Sequence, residues 1–122
     1  MSETIEVTNW ADYFKEFSTK NFKRRVKLEI FGELGALEQV KKLPLAGIYV
    51  ELNGQNAPRA EILLGGISAH EIEYLTHTVT HVRTIMSLSD GDDFESAVEF
   101  ESADGTKTLL SFENPAAESK TA

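Results

Sequence analysis

Cysteine is absent from the 122 residues of this chain, which excludes disulfide bonds, thiolate nucleophiles and cysteine-ligated metals. Long apolar runs are absent as well. No stretch reaches the roughly 18 apolar residues of a membrane span, and residues 1–10 contain no apolar secretion signal. We therefore expect a cytoplasmic protein that does not engage membranes.

Positive charge is scarce: 12 lysines and arginines stand against 20 aspartates and glutamates, for a net charge of -8. Such a field repels phosphate backbones, so nucleic acid is a poor partner. A basic run nevertheless occupies residues 20–27, whereas residues 87–106 hold seven acidic residues and no basic one. We interpret the basic run as a solvated strand edge, where lysines also prevent pairing with other strands.

What is present suffices for one folded domain. Hydrophobic residues make up 41% of the chain and charged residues 26%, as in ordinary globular proteins. A domain of this length buries roughly two-thirds of the surface that its unfolded chain exposes. We expect residues 1–113 to form a single domain. Residues 114–122 carry no apolar face and are expected to form a disordered tail.

An aromatic stripe predicts a helix near the N-terminus. Its members are Trp10, Tyr13, Phe14 and Phe17. This spacing places all four side chains on one face of a helix that we predict over residues 9–20, with Asn9 as the N-cap. Packing against a sheet is the simplest role for such a stripe.

Alternating apolar and polar residues predict strands with one buried face at residues 26–30, 48–52 and 60–64. Residues 34–43 fit either a short helix or an irregular strand. Residues 70–83 also match a helical stripe, but their β-branched threonines and valines favour an extended conformation, which we expect. In that conformation Val82, Thr84, Met86 and Leu88 would share one face of a strand.

The last two strands form a hairpin whose register can be predicted. A two-residue turn would place Glu99 and Glu101 on the apolar face. A three-residue loop over residues 103–105, with Gly105 in the left-handed conformation, places both glutamates outside and sets Glu101 opposite Lys107. We predict this loop. The apolar face would then comprise Phe94, Val98, Phe100, Leu110 and Phe112. The expected fold is α+β, with an N-terminal helix packed on a curled, mostly antiparallel sheet of about six to eight strands.

No motif indicates catalysis. The three histidines, His70, His77 and His81, would share a face of a helix and resemble a metal site. In an extended segment His77 and His81 stand about 13 Å apart, too far for one ion. The acidic stretch at residues 90–95 lacks the glycine and distal glutamate of a calcium loop, and no phosphate-binding glycine pattern occurs. We expect no catalytic residue, no metal and no cofactor.

Four landmarks together resemble a small bacterial family known only as a domain of unknown function. They are the early Trp10 on an aromatic helix and residues 43–48 (LPLAGI), 70–72 (HEI) and 104–112 (DGTKTLLSF). The resemblance implies a shared fold, and it implies no activity, substrate or cofactor. It draws attention to His70 as a polar position within one of the landmarks.

A non-enzymatic protein-interaction or scaffold module is the function that this sequence favours, because it supports a full core without a matched nucleophile and base. The partner would be an unidentified protein or a second copy of the chain. The alternative is a small enzyme or ligand-binding protein with a site around His70. The candidate binding residues are His70, Glu71, Tyr74, Glu99 and Glu101. We expect the interaction surface on the outer face of the final hairpin.

Overall fold

The structure is a computed structural model that describes residues 2–32, 35–67, 72–89 and 95–112. This part of the chain contains one α-helix, a short 3₁₀ helix and eight strands. In chain order they are β1 Ser2–Thr4, the 3₁₀ helix Val7–Asn9, α1 Trp10–Lys20, β2 Arg25–Gly32, β3 Gly35–Glu51, β4 Arg59–Ile67, β5 Ile72–Val79, β6 Val82–Ser89, β7 Glu95–Ser102 and β8 Lys107–Phe112.

The strands form one eight-stranded sheet in the order β1-β6-β7-β8-β2-β3-β4-β5. Every neighbouring pair is antiparallel. Strands β1 and β5 are the two ends, so the sheet is not closed. The predicted α+β class, antiparallel sheet and strand number are confirmed. Within the described ranges, no helix is long and apolar enough to cross a membrane.

One short connection joins two distant parts of this strand order. Only Thr80 and His81 separate β5, the last strand of the sheet, from β6, the second strand. The backbone N–H of His81 donates to the Asn56 carbonyl at 3.0 Å, and the His81 carbonyl accepts from the N–H of Ala103 at 2.8 Å. These bonds fix the end of β5 to the β3–β4 and β7–β8 connections.

The aromatic face of α1 packs on the sheet as predicted. Trp10, Phe14 and Phe17 are buried, and the ring of Phe14 stacks on Phe100 of β7 at 5.7 Å between centroids. Phe17 lies 5.7 Å from the ring of Phe112 in β8. A polar contact fixes the helix to β3, because the backbone N–H of Ile48 donates to the hydroxyl of Ser18 at 2.9 Å.

The start of α1 confirms Asn9 as the N-cap residue, because the helix begins at Trp10. The Asn9 side chain makes no capping hydrogen bond, however. Residues Val7–Asn9 already form a 3₁₀ turn, so Asn9 has a helical backbone instead of the extended backbone of a capping residue. Its backbone N–H donates to the Glu6 carbonyl at 2.8 Å.

Both ambiguous stretches are extended where the structure describes them, apart from the short link at Thr80 and His81. Residues 35–43 belong to β3, and the expected extended conformation of the second stretch is confirmed for residues 72–79 in β5 and 82–83 in β6. Residues 34, 70 and 71 lie outside the described residues. The predicted face of β6 is wrong. A register shift between Val82 and Thr84 reverses the side-chain alternation, so Ile85 and Ser87 point into the core instead of Met86 and Leu88.

The final hairpin has the predicted register. The N–H of Ser102 donates to the carbonyl of Thr106 at 2.9 Å, Gly105 has a φ of 92°, and Glu101 pairs with Lys107. The apolar face is confirmed for Val98, Phe100 and Leu110, which are fully buried, and for Phe112, which is partly buried. Phe94 and the predicted tail, residues 114–122, lie outside the described residues.

The interpretation of the basic run as a strand edge is wrong. Strand β2, which carries Arg25 and Lys27, lies between β8 and β3 in the interior of the sheet. Both side chains are exposed on the outer face. Arg24 has a structural role, because its guanidinium lies 4.0 Å from the Phe112 ring centroid and donates to the Asn21 side chain at 2.7 Å.

Candidate functional site

Strand β5 ends the sheet and pairs with β4 along one side. Among the described residues, no strand pairs with its other side, which we call the β5 edge. The strand is eight residues long and contains no lysine, arginine or proline. Those residues commonly prevent edge strands from pairing with other chains. The β5 edge is therefore a long template for a further strand.

Two apolar side chains at the centre of β5 are exposed. Tyr74 is 64% exposed, and its partner in β4 is Gly65, which has no side chain to cover the ring. Leu75 points to the core face and pairs with the fully buried Leu64, yet it is 38% exposed. Among the described strands, only β4 pairs alongside Leu75.

A second tyrosine lies on the same outer face as Tyr74. Tyr49 of β3 is 60% exposed and pairs with Glu61 of β4. Its ring lies over Gly47, where an added Cβ would come within 3.1 Å of the phenolic oxygen. The outer surface of β3, β4 and β5 thus presents two exposed tyrosines, each beside a glycine.

A cleft of about 310 Å³ lies beside the core-facing side of β5. It is bordered by Ile30, Thr106, Thr108 and residues 77–81 and 102–104. His77 is half-buried there, and this burial lowers its pKa from the ordinary value of 6.5. Its position in the cleft therefore favours the neutral form of the His77 imidazole.

Asp104 also borders the cleft. Its carboxylate accepts a hydrogen bond from the Thr106 N–H at 2.9 Å. This bond is the main reason why the pKa of Asp104 is lowered, and the nearby His81 contributes a smaller attraction. Within the described chain, no hydroxyl donates to His77 or His81, and no three His, Asp or Glu side chains are grouped to hold a metal. The cleft thus offers hydrogen-bonding groups without an activated nucleophile.

The predicted binding residues fall into separate places. His70 and Glu71 lie outside the described residues. Tyr74 lies on β5, whereas Glu99 and Glu101 lie on β7, on the other side of β2 in the strand order. Glu101 accepts from the guanidinium of Arg83 at 2.9 Å, which partly neutralises the outer face of the hairpin. The structure therefore does not bring Tyr74 together with the two glutamates.

Sequence reasoning missed Leu75 and Tyr49. The alternation of residues 48–52 predicted that Tyr49 points outward, and this was the one indication in the sequence that its ring is exposed. The exposure of Leu75 at an open edge could have been suspected from residues 72–79, which contain no lysine or proline to protect an edge strand. That composition is also ordinary in a central strand, so it indicates an open edge only when the strand order is known.

Comparison with known protein families decides the affiliation of the chain. Residues 1–121 match the profile of a family of unknown function, DUF5335. The chain belongs to this family. This match confirms the predicted resemblance to a domain of unknown function. Searches of curated proteins and of solved structures gave no match.

Proposed function

We propose that this DUF5335 protein is a non-enzymatic protein-interaction module that binds an extended protein segment along the β5 edge. The observation that carries the proposal is an eight-residue end strand with exposed Tyr74 and Leu75 at its centre and no lysine, arginine or proline. This location replaces the outer face of the final hairpin as the first place to seek a partner.

The chemistry of the edge selects a polypeptide as the occupant. Backbone N–H and C=O groups that face away from β4 match those of another extended chain, and each hydrogen bond contributes about 1 kcal/mol net. Tyr74 and Leu75 lie on opposite faces of the strand, so each flanks an added strand from its own side. Phosphate backbones are disfavoured by the net charge of -8.

A curled sheet and a cytoplasmic setting belong to the same proposal. The two-residue link from β5 to β6 supports a curl, and so do the contacts of α1 with Ile48 of β3 and with Phe100 of β7. Cell fractionation of the native host tests the cytoplasmic location.

Selection from a displayed library of random peptides tests the proposal, with backbone amide shifts to map the bound peptide. We expect the largest shifts along residues 72–79, and we expect Thr76→Lys to weaken peptide binding because a lysine on an edge strand opposes pairing. Thr4→Lys is the matched control, since Thr4 is also exposed and lies on β1, the other end of the sheet. Peptides that shift α1 or β7 and bind equally to both variants would refute the proposal.

A further inference from the structure

We propose that the strand that binds the β5 edge is β5 of a second copy, in an antiparallel register with Leu75 opposite Leu75 on a two-fold axis. This inference rests on the proposed function and names the partner of the same edge. Identical strands related by a two-fold axis form a closed dimer, because each edge is then used once.

The faces of the strand restrict the possible registers. When the two-fold axis passes through a residue, each residue on the core face stands opposite a core-face residue of the other copy, so the two core faces are continuous. When the axis passes between two residues, core-face residues stand opposite solvent-face residues, so the core face of one copy continues as the solvent face of the other. Leu75 points to the core face and continues the row that begins at Leu64 in β4. We therefore place the axis at a residue.

An axis at Leu75 gives the best side-chain pairs. The two Leu75 side chains, each 38% exposed in one copy, cover one another. On the outer face, Tyr74 stands opposite Thr76 of the other copy, an aromatic and β-branched pair that favours antiparallel strands. An axis at Thr76 would instead set each Leu75 opposite the half-buried His77 of the other copy, so the two exposed leucines would not cover one another.

The charges of the strand are compatible with self-pairing. Glu73 is the single acidic residue of β5, and the strand has no basic side chain apart from His77. With the axis at Leu75, position 73 stands opposite position 77 of the other copy, so no two glutamates face one another. The strand can therefore pair with itself although the whole chain carries a net charge of -8.

The absence of cysteine permits a direct test by crosslinking. In the Leu75→Cys variant the only thiol of each chain lies on the proposed axis, within reach of its copy. We expect mild oxidation to give a disulfide-linked dimer at least about tenfold faster than for Thr4→Cys, whose thiol lies on the other exposed end strand. Equal crosslinking rates for the two variants would overturn the proposed axis.

Sedimentation equilibrium of the cysteine-free full chain over a range of concentrations provides the second measurement. We expect a monomer–dimer equilibrium that Thr76→Lys weakens by about tenfold, since the substitution occurs twice in the dimer, and that Thr4→Lys leaves unchanged. Circular dichroism confirms that each variant is folded. A monomer at every concentration would overturn self-association, and the proposed function would still stand if selected peptides map to β5. Failure of that mapping as well would refute both.

Discussion

The two ends of the sheet differ in length, composition and exposure. Strand β1 has three residues, all polar and all exposed, and the backbone N–H of Ile5 extends its attachment by donating to the Ile85 carbonyl at 2.9 Å. Strand β5 has eight residues and exposes Tyr74 and Leu75. A short polar end offers little to another chain, whereas a long apolar end offers a template. The comparison therefore favours β5 over β1 as the proposed interaction edge.

The largest effect on stability is expected from a substitution that breaks the attachment of β1. The indole N–H of the buried Trp10 donates to the carbonyl of Ile5 at 2.9 Å, so this side chain joins α1 to the segment that follows β1. We expect Trp10→Ala to lower the free energy of unfolding by about 3–5 kcal/mol, through loss of core packing. Denaturant unfolding with fluorescence-independent detection, such as circular dichroism, measures this change.

Trp10→Phe is the control for that prediction. It keeps an aromatic ring in the core and removes the hydrogen bond, so a loss of about 1 kcal/mol is expected. For this variant, amide hydrogen exchange in β1 and at Ile5 should be faster than in the unmodified protein, whereas exchange in β5 should be unchanged. Unchanged exchange in β1 would contradict the role of Trp10 in holding that end.

Two paired leucines test whether β5 behaves as an exposed end strand. Leu64 and Leu75 face each other across β4 and β5, but Leu64 is fully buried and Leu75 is 38% exposed. We expect Leu64→Ala to cost about 2–5 kcal/mol and Leu75→Ala to cost about 1 kcal/mol or less at dilute, monomeric concentration. Urea unfolding of both variants checks the difference. Equal losses would mean that Leu75 is a core residue and not part of an interaction edge.

The smallest expected effect is a pH dependence at the β5 end. Burial lowers the pKa of His77 below 6.5 in the folded state, so the unfolded chain binds a proton more readily. The contribution of His77 to stability should therefore fall as the pH drops through 6.5, and it should level off below the folded pKa. Urea midpoints measured between about pH 7.5 and 5 test this.

His77→Gln should reduce this pH dependence. His81→Asn serves as the control, because His81 is exposed in the β5–β6 turn and asparagine tolerates its φ of 51°. This variant should keep the dependence of the unmodified protein. A curve for His77→Gln that matches the unmodified protein would show that other groups cause the effect.

Local chemistry made α1 and the final hairpin predictable. Helical spacing of four aromatics requires no knowledge of distant residues, and Gly105 together with the positions of Glu99 and Glu101 decides a register between adjacent strands. The core face of β4, formed by Ala60, Ile62 and Leu64, followed from alternation for the same reason.

Features that depend on distant pairing escaped prediction. Strand β1 has three polar residues and no pattern, and it is defined only by its pairing with β6. The central position of β2 and the terminal position of β5 depend on which strands pair, and alternation contains no information on this. Tyr74 was predicted as a site residue, but its surroundings became clear only when β5 proved to be an end strand. The bulge after Val82 likewise gives no sign in the alternation of β6.

The strand order also bears on how the sheet is assembled during synthesis. Strands β2 to β5 are consecutive neighbours, so they can pair as a meander as soon as they leave the ribosome. The chain then turns away from β5 through Thr80 and His81, and β8 adds to β2 at the far side of that meander. The strands other than β2 to β5 thus all lie on the β2 side of the meander, through the pairing of β8 with β2. Among the described strands, the side of β5 that faces away from β4 therefore gains no partner strand as the rest of the sheet is added.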